Sequence, residues 1–87
     1  MPGSYEIRIK RSAEKEIRAL EKKPRRRVVR AIRALADDPR PPGCEKLTAE
    51  QAYRIRVGRY RVVYTIEDQV LVVVVVRVAH RREVYRN

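Results

Sequence analysis

Tyr5, Ile7 and Ile9 interleave with Glu6, Arg8 and Lys10, a period of two that predicts a half-buried strand over 5–10. Ser12 is placed to cap a following helix, with Glu14 and Glu16 near its positive end. Ala13, Ile17 and Leu20 then recur at helical spacing. Pro24 interrupts that pattern and suits the first turn of a second helix. Its apolar stripe is Val28, Ile32 and Leu35, flanked by Val29 and Ala36. This helix is expected to stop at Asp37–Asp38, because Pro39 disfavours a helical residue before it. The stretch PRPPG at 39–43 then forms a stiff connection.

From Ala52 the period returns to two. Ala52–Val57 predicts a strand, Gly58 a tight connection or bulge, and Arg59–Ile66 a second strand. Glu67, Asp68 and Gln69 make a turn before a long third strand over Val70–Ala79. His80–Arg82 breaks the run, and Glu83–Tyr85 continues in extended form. Within the third strand VLVVVVV (70–76) does not alternate, so both of its faces should be covered and its position central. Left exposed, such a segment would aggregate. The order β-α-α-β-β-β predicts an α+β fold: a small, twisted, antiparallel-rich sheet packed against an N-terminal helical hairpin. No repeat or linker divides the chain, and 87 residues make a single domain, 1–87.

Charge changes the functional expectation more than the structural one. Twenty-two Lys and Arg face eleven Asp and Glu, a net charge of +11, which favours polyanionic partners such as RNA, DNA or an acidic protein segment. Cys44 is the only cysteine, so no internal disulfide forms and a reducing cytoplasm is expected. Cys44 and the single histidine, His80, do not suffice for a zinc site of the usual kind, and no metal or cofactor is expected. The N-terminus MPGSYEIRIKR lacks the apolar core of a signal peptide, and the longest apolar run is far shorter than the ~20 residues that span a bilayer. No membrane association is therefore expected.

The chemistry concentrates in residues 53–64, YRIRVGRYRVVY. Four arginines stand there without one acid among them. Arg54 and Arg56 share one face of their strand, opposite Tyr53, Ile55 and Val57. Arg61 joins them if the two strands pair polar with polar. The plain alternative is a solvated strand face balanced by an acidic partner.

The whole segment YRIRVGRYRVVYTIEDQVLVVVVVRVAHRREVYR resembles the C-terminal half of toxins of the RelE/ParE superfamily. The paired strands, the acidic turn, the valine-rich strand and the closing HRREVY carry the likeness, and the helix beginning SAEKEIRAL fits it too. The resemblance implies the RelE-like microbial ribonuclease fold and the toxin of a type II toxin–antitoxin system, in the RelE-like branch. It further implies ribosome-dependent mRNA endonuclease activity in the A site, beside 16S rRNA, and inhibition of translation. The reaction would be metal-independent attack of a ribose 2′-OH on the adjacent phosphate, leaving a 2′,3′-cyclic phosphate and a 5′-OH. An acidic antitoxin is the implied protein partner. By motif the family's functional positions fall on Arg54, Arg56, Arg61, Arg81 and Tyr85; well-known members carry lysine at the first two.

Those residues divide by chemistry. Guanidinium groups of Arg54, Arg56, Arg61 and Arg81, with Arg59 and Arg82 beside them, suit binding an RNA backbone and stabilising a phosphorane. They do not suit proton abstraction: deprotonating arginine at neutral pH costs roughly 7–8 kcal/mol, at 1.36 per pKa unit. His80 is the side chain whose ordinary pKa of about 6.5 lies near operating pH, with a strand-capping role as its alternative. Tyr85 is a candidate for base stacking or proton transfer, or else covers a sheet edge. The basic run 22–27, KKPRRR, reads as a solvated helix face, with non-specific phosphate binding as its functional alternative. Two competing functions remain: a ParE-like inhibitor of DNA gyrase, and a degenerate RNA-binding toxin homologue. ParE-type chains usually lack the closing Arg-x-x-Val-Tyr pattern present here as Arg81–Tyr85.

Overall fold

A computed structural model describes residues 4–47 and 52–80. Along the chain come β1 (Glu6–Ile9), α1 (Arg11–Arg18), α2 (Lys22–Ala34), β2 (Glu45–Lys46), β3 (Ala52–Val57), β4 (Tyr60–Glu67) and β5 (Val72–His80). The strands form one sheet in the order β1-β5-β4-β3-β2. Among the described residues only the β1–β5 pair is parallel, so the sheet is antiparallel-rich as expected. The two helices cover one of its faces.

The periodic apolar positions explain that layering. Ala13 and Ile17 of α1, with Val28, Ile32 and Leu35 from α2 and its C-cap, are buried against Tyr53, Ile55, Val62, Tyr64, Ile66, Val73, Val75 and Val78. Each fully buried Val, Leu or Ile side chain contributes about 1.5–3 kcal/mol, so this single packed layer is the main source of stability. β5 lies between β1 and β4, the interior position its valines predict. Its lack of alternation has a second cause. Val63 pairs with Arg77 but Tyr64 pairs with Val75, leaving Val76 as an extra residue. This bulge reverses the parity of the strand, so Val73, Val75 and Val78 all face the helices.

Four details depart from the pattern-based expectations. Ser12 makes no cap: Lys10 is the N-cap residue, because its N–H still pairs with Val75 O (2.9 Å) and α1 starts directly afterwards. Val70 and Leu71 are exposed and belong to the turn, where Leu71 takes a left-handed φ of 55° and offers its carbonyl to the Glu6 N–H (2.8 Å). β4 correspondingly runs on to Glu67. A short β2, which no periodicity announces, pairs with β3.

α2 ends at Ala34, then tightens into i→i−3 hydrogen bonds through Asp37, close to the expected stop. The proline-rich connection that follows is tied down at several points. Arg40 donates to both carboxylate oxygens of Asp68 (3.2 and 2.9 Å) and, through Nε, to the Tyr53 hydroxyl (3.2 Å). Tyr5 also donates to Asp68 (2.8 Å), and the buried Tyr64 hydroxyl donates to Pro39 O (2.8 Å). Burial pushes the Tyr64 phenol well above its ordinary range. Glu16 has a structural role beyond its place near a helix start. Its Oε1 accepts the Val78 N–H at 2.7 Å, where β5 has run past the end of β1.

The hydrogen bonds from Arg40 and then Tyr5 hold the Asp68 carboxyl below the usual carboxylate range. A lowered folded-state pKa contributes stability that is fully present above the unfolded value of about 3.9 and lost as pH falls through the folded value. Asp68→Asn is therefore expected to be less stable than the wild type at pH 7, with the difference shrinking below about pH 4 and vanishing below the folded-state value; urea titrations at pH 7 and across the acidic range test this. Glu16→Ala is expected to lower the unfolding free energy by about 1–3 kcal/mol, because it strands a backbone donor, while Glu16→Gln recovers most of the loss. Denaturant midpoints of the two variants provide the check.

Candidate nucleic-acid interface

The β3–β4 loop is two residues long, Gly58 and Arg59, and Gly58 has a φ of 62°. A left-handed residue at the first loop position matches the twist of a tight hairpin, and glycine adopts it without a Cβ penalty. With Val57 and Tyr60 as the closing pair, Arg56 falls directly opposite Arg61 and Arg54 opposite Val63. Cross-strand partners point to the same side of a sheet. Arg54, Arg56 and Arg61 therefore share the face turned away from the helices, while Tyr53, Ile55, Val57, Tyr60 and Val62 share the helix side.

The three arginines differ in exposure. Arg56 is exposed, Arg54 has a side chain only 14% exposed, and Arg61 is buried at 2%. Like charges directly opposite one another repel, and the fold supplies an acid that the local sequence does not. Glu45 on β2 pairs in register with Arg54 and forms a salt bridge through its Oε1 to Arg54 Nη2. The Arg54 hydrogen bond, then the charge of Arg54 and those of Arg56 and Arg61, hold the Glu45 carboxyl below its ordinary value. Glu45 thus stays ionised at neutral pH inside the field of all three guanidinium groups. A concavity of about 350 Å³ lined by Pro42, Gly43, Glu45, Ile55 and Arg56 opens beside it.

The remaining candidates separate. His80 pairs with Tyr60 across β4–β5, and its ring meets the Tyr60 ring edge-on at 5.6 Å, which puts it on the helix side, across the sheet from the arginines. Arg59 sits in the hairpin loop rather than on the arginine face. Arg81, Arg82 and Tyr85 lie outside the described residues. Glu45 was not among the candidates from sequence. The one signal for it was that Glu45 and Glu50 are the only acids between Asp38 and Glu67, so any acid meeting this arginine face from nearby in the chain had to be one of them.

Residues 7–85 match the family model described as the ParE toxin of the type II toxin–antitoxin system parDE. No curated protein matches the chain. Among solved structures it is similar to the archaeal RelE–RelB complex from Pyrococcus horikoshii, with a TM-score of 0.82 and 26% identity over 97% of this chain and 99% of that one. The RelBE2 toxin–antitoxin complex of Mycobacterium tuberculosis gives 0.79 and 28% over 93% and 95% of the two chains. A substituted Escherichia coli RelE toxin bound to an antitoxin RelB peptide gives 0.76 and 30% over 94% and 90%.

Glu45 competes with any incoming phosphate for Arg54. Glu45→Gln is therefore expected to strengthen binding of a short single-stranded RNA severalfold at low salt. It should also steepen the fall of log K with log salt concentration by roughly 0.7 for each further phosphate that the protein neutralises. Fluorescence anisotropy titrations at several salt concentrations measure both quantities.

Proposed function

As the chain belongs to the RelE/ParE superfamily of type II toxin–antitoxin toxins, and to its RelE-like branch, we propose that it is a ribosome-dependent endoribonuclease that cuts mRNA in the A site and so stops translation. The observation that carries this reading is the face on which Arg54, Arg56 and Arg61 surround one ionised carboxylate. Such a face holds the two kinds of group that transesterification of RNA needs, cations for the phosphate and an acceptor for a proton.

The proposed reaction assigns them as follows. The guanidinium groups of Arg54 and Arg56 hold the phosphodiester, and the buried charge of Arg61 acts through its field, without direct contact, on the charge that grows on the phosphorane oxygens. The Glu45 bond to Arg54 uses Oε1, and Oε2 is the acceptor for the ribose 2′-OH proton. As the O2′–P bond forms, the P–O5′ bond breaks, giving the 2′,3′-cyclic phosphate. The departing 5′ oxygen takes up a proton, for which Tyr85 has the appropriate chemistry; Arg81 adds charge. His80, on the other side of the sheet, is not assigned a step. An antitoxin holds the toxin in the resting complex, a reading that the toxin–antitoxin complexes of the relatives support, and an acidic one would neutralise the arginine face.

A second reading has a specific observation behind it, since the matching family model is that of the ParE toxin. On that reading the same basic surface binds DNA gyrase and no RNA is cut.

Primer extension in a purified translation system separates the two. We expect cuts within mRNA only when ribosomes are present. Arg56→Ala should lower the single-turnover rate by about 10²–10³-fold, and Glu45→Gln by about 10²–10⁴-fold despite tighter RNA binding. Intact mRNA together with blocked DNA supercoiling would overturn the nuclease reading in favour of gyrase.

A further inference from the structure

The helix side of the β3–β4 hairpin carries a second constellation that the proposed reaction does not use. Pro24 and Arg27 of α2 face Val57, Gly58, Arg59 and Tyr60 across a concavity of about 420 Å³. That volume lies in the range of small-molecule sites. Arg27 reaches over the hairpin loop, its Nη1 lying 3.8 Å from the position a β-carbon on Gly58 would take. Among the described residues, neither Arg27 nor Arg59 has a salt bridge or a side-chain hydrogen bond. Two permanently charged forks thus converge on one hollow whose remaining walls are apolar or aromatic. Tyr60, braced edge-on by His80, supplies the aromatic wall, and Pro24 and Val57 supply the apolar ones.

We infer that this hollow is a binding site for a nucleotide, its phosphate held by Arg27 and Arg59 and its base against Tyr60. Each part follows from chemistry. A guanidinium matches a phosphate bidentately, and two of them favour a phosphate over a singly charged carboxylate. A flat apolar base is the group that gains from a tyrosine ring with proline and valine beside it. The site lies across the sheet from Arg54, Arg56 and Arg61, because Val57 and Tyr60 face the helix side while Arg56 and Arg61 face away. A ligand bound here leaves the arginine face open. The nucleotide is either free in solution or one unit of an RNA strand, and both present the same base and phosphate.

Isothermal titration of the full chain with AMP, ribose 5-phosphate and a short RNA oligonucleotide tests the assignment. AMP is expected to bind saturably, at least fivefold more tightly than ribose 5-phosphate. Arg27→Ala/Arg59→Ala, which alters only exposed side chains, should weaken AMP binding at least tenfold, whereas Arg8→Ala, on the exposed edge strand β1, should leave it unchanged. Binding of the oligonucleotide alone, with the same dependence on Arg27 and Arg59, would identify the ligand as a unit of an RNA strand. Equal affinity for AMP and ribose 5-phosphate would reduce the site to a phosphate site and overturn the inference. So would AMP binding that survives loss of Arg27 and Arg59, or the absence of saturable binding by either AMP or the oligonucleotide.

Discussion

Two residues, Gly58 and Arg59, decide which side of the sheet every neighbouring side chain takes. Because side chains alternate with a period of two, the loop between β3 and β4 sets the register, and the register sets the faces. With a two-residue loop, Arg56 meets Arg61 on one side while Val57 meets Tyr60 on the other. A one-residue slip in β4 would send Arg61 into the helix-side core and turn Val62 outward. The helices could then no longer seal against the sheet, since Val62 is among the fully buried side chains. Hydrophobic burial on one face and charge convergence on the other are thus consequences of the same constraint.

Convergence of like charge works against folding, and the chain offsets it locally. Glu45 brings one carboxylate to three arginines, and it does so through a strand of only two residues. The positive charge of that face is what a polyanion would neutralise. The same arithmetic holds for the molecule as a whole, whose net charge is +11. Such a basic surface is electrostatically suited to a polyanionic ligand, which would relieve repulsion within the toxin. The opposite end of the sheet is built differently. There Arg40 is shared among Asp68, the Tyr53 hydroxyl and the Tyr53 ring (5.1 Å to the centroid), so its charge is satisfied inside the molecule.

What could be read from the chain was whatever repeats locally. The alternation of Tyr53, Ile55 and Val57 with Arg54 and Arg56 fixes β3 to the residue, and Val28, Ile32 and Leu35 mark the buried stripe of α2. What escaped depends on partners distant in sequence. The bulge at Val76 is created by β4 pairing, which a run of valines does not encode. The start of α1 is set by the Lys10 bond to Val75, not by the nearby serine that looked like a cap. His80 follows the arginine-bearing strands closely enough in sequence to suggest a shared site, but the bulge and the register assign it to the other face. Glu45 has no periodic neighbours at all, since β2 exists only because β3 offers it an edge.

The presence of Glu45 also bears on the two positions where this chain carries Arg54 and Arg56 rather than lysine. A lysine can in principle surrender its proton when neighbours depress its pKa, whereas a guanidinium keeps its charge at any physiological pH. A site lined with arginine must therefore take its proton acceptor from elsewhere. In the proposed reaction the carboxylate serves, at a cost: the guanidinium groups that lower its pKa lower its basicity with it. Arg54 is the largest cause of that lowering. An incoming phosphate competes for the same guanidinium, and as it draws Arg54 away the carboxylate recovers basicity. Substrate binding would then switch on the acceptor at the moment the 2′-OH arrives, and the free toxin would keep that carboxylate occupied.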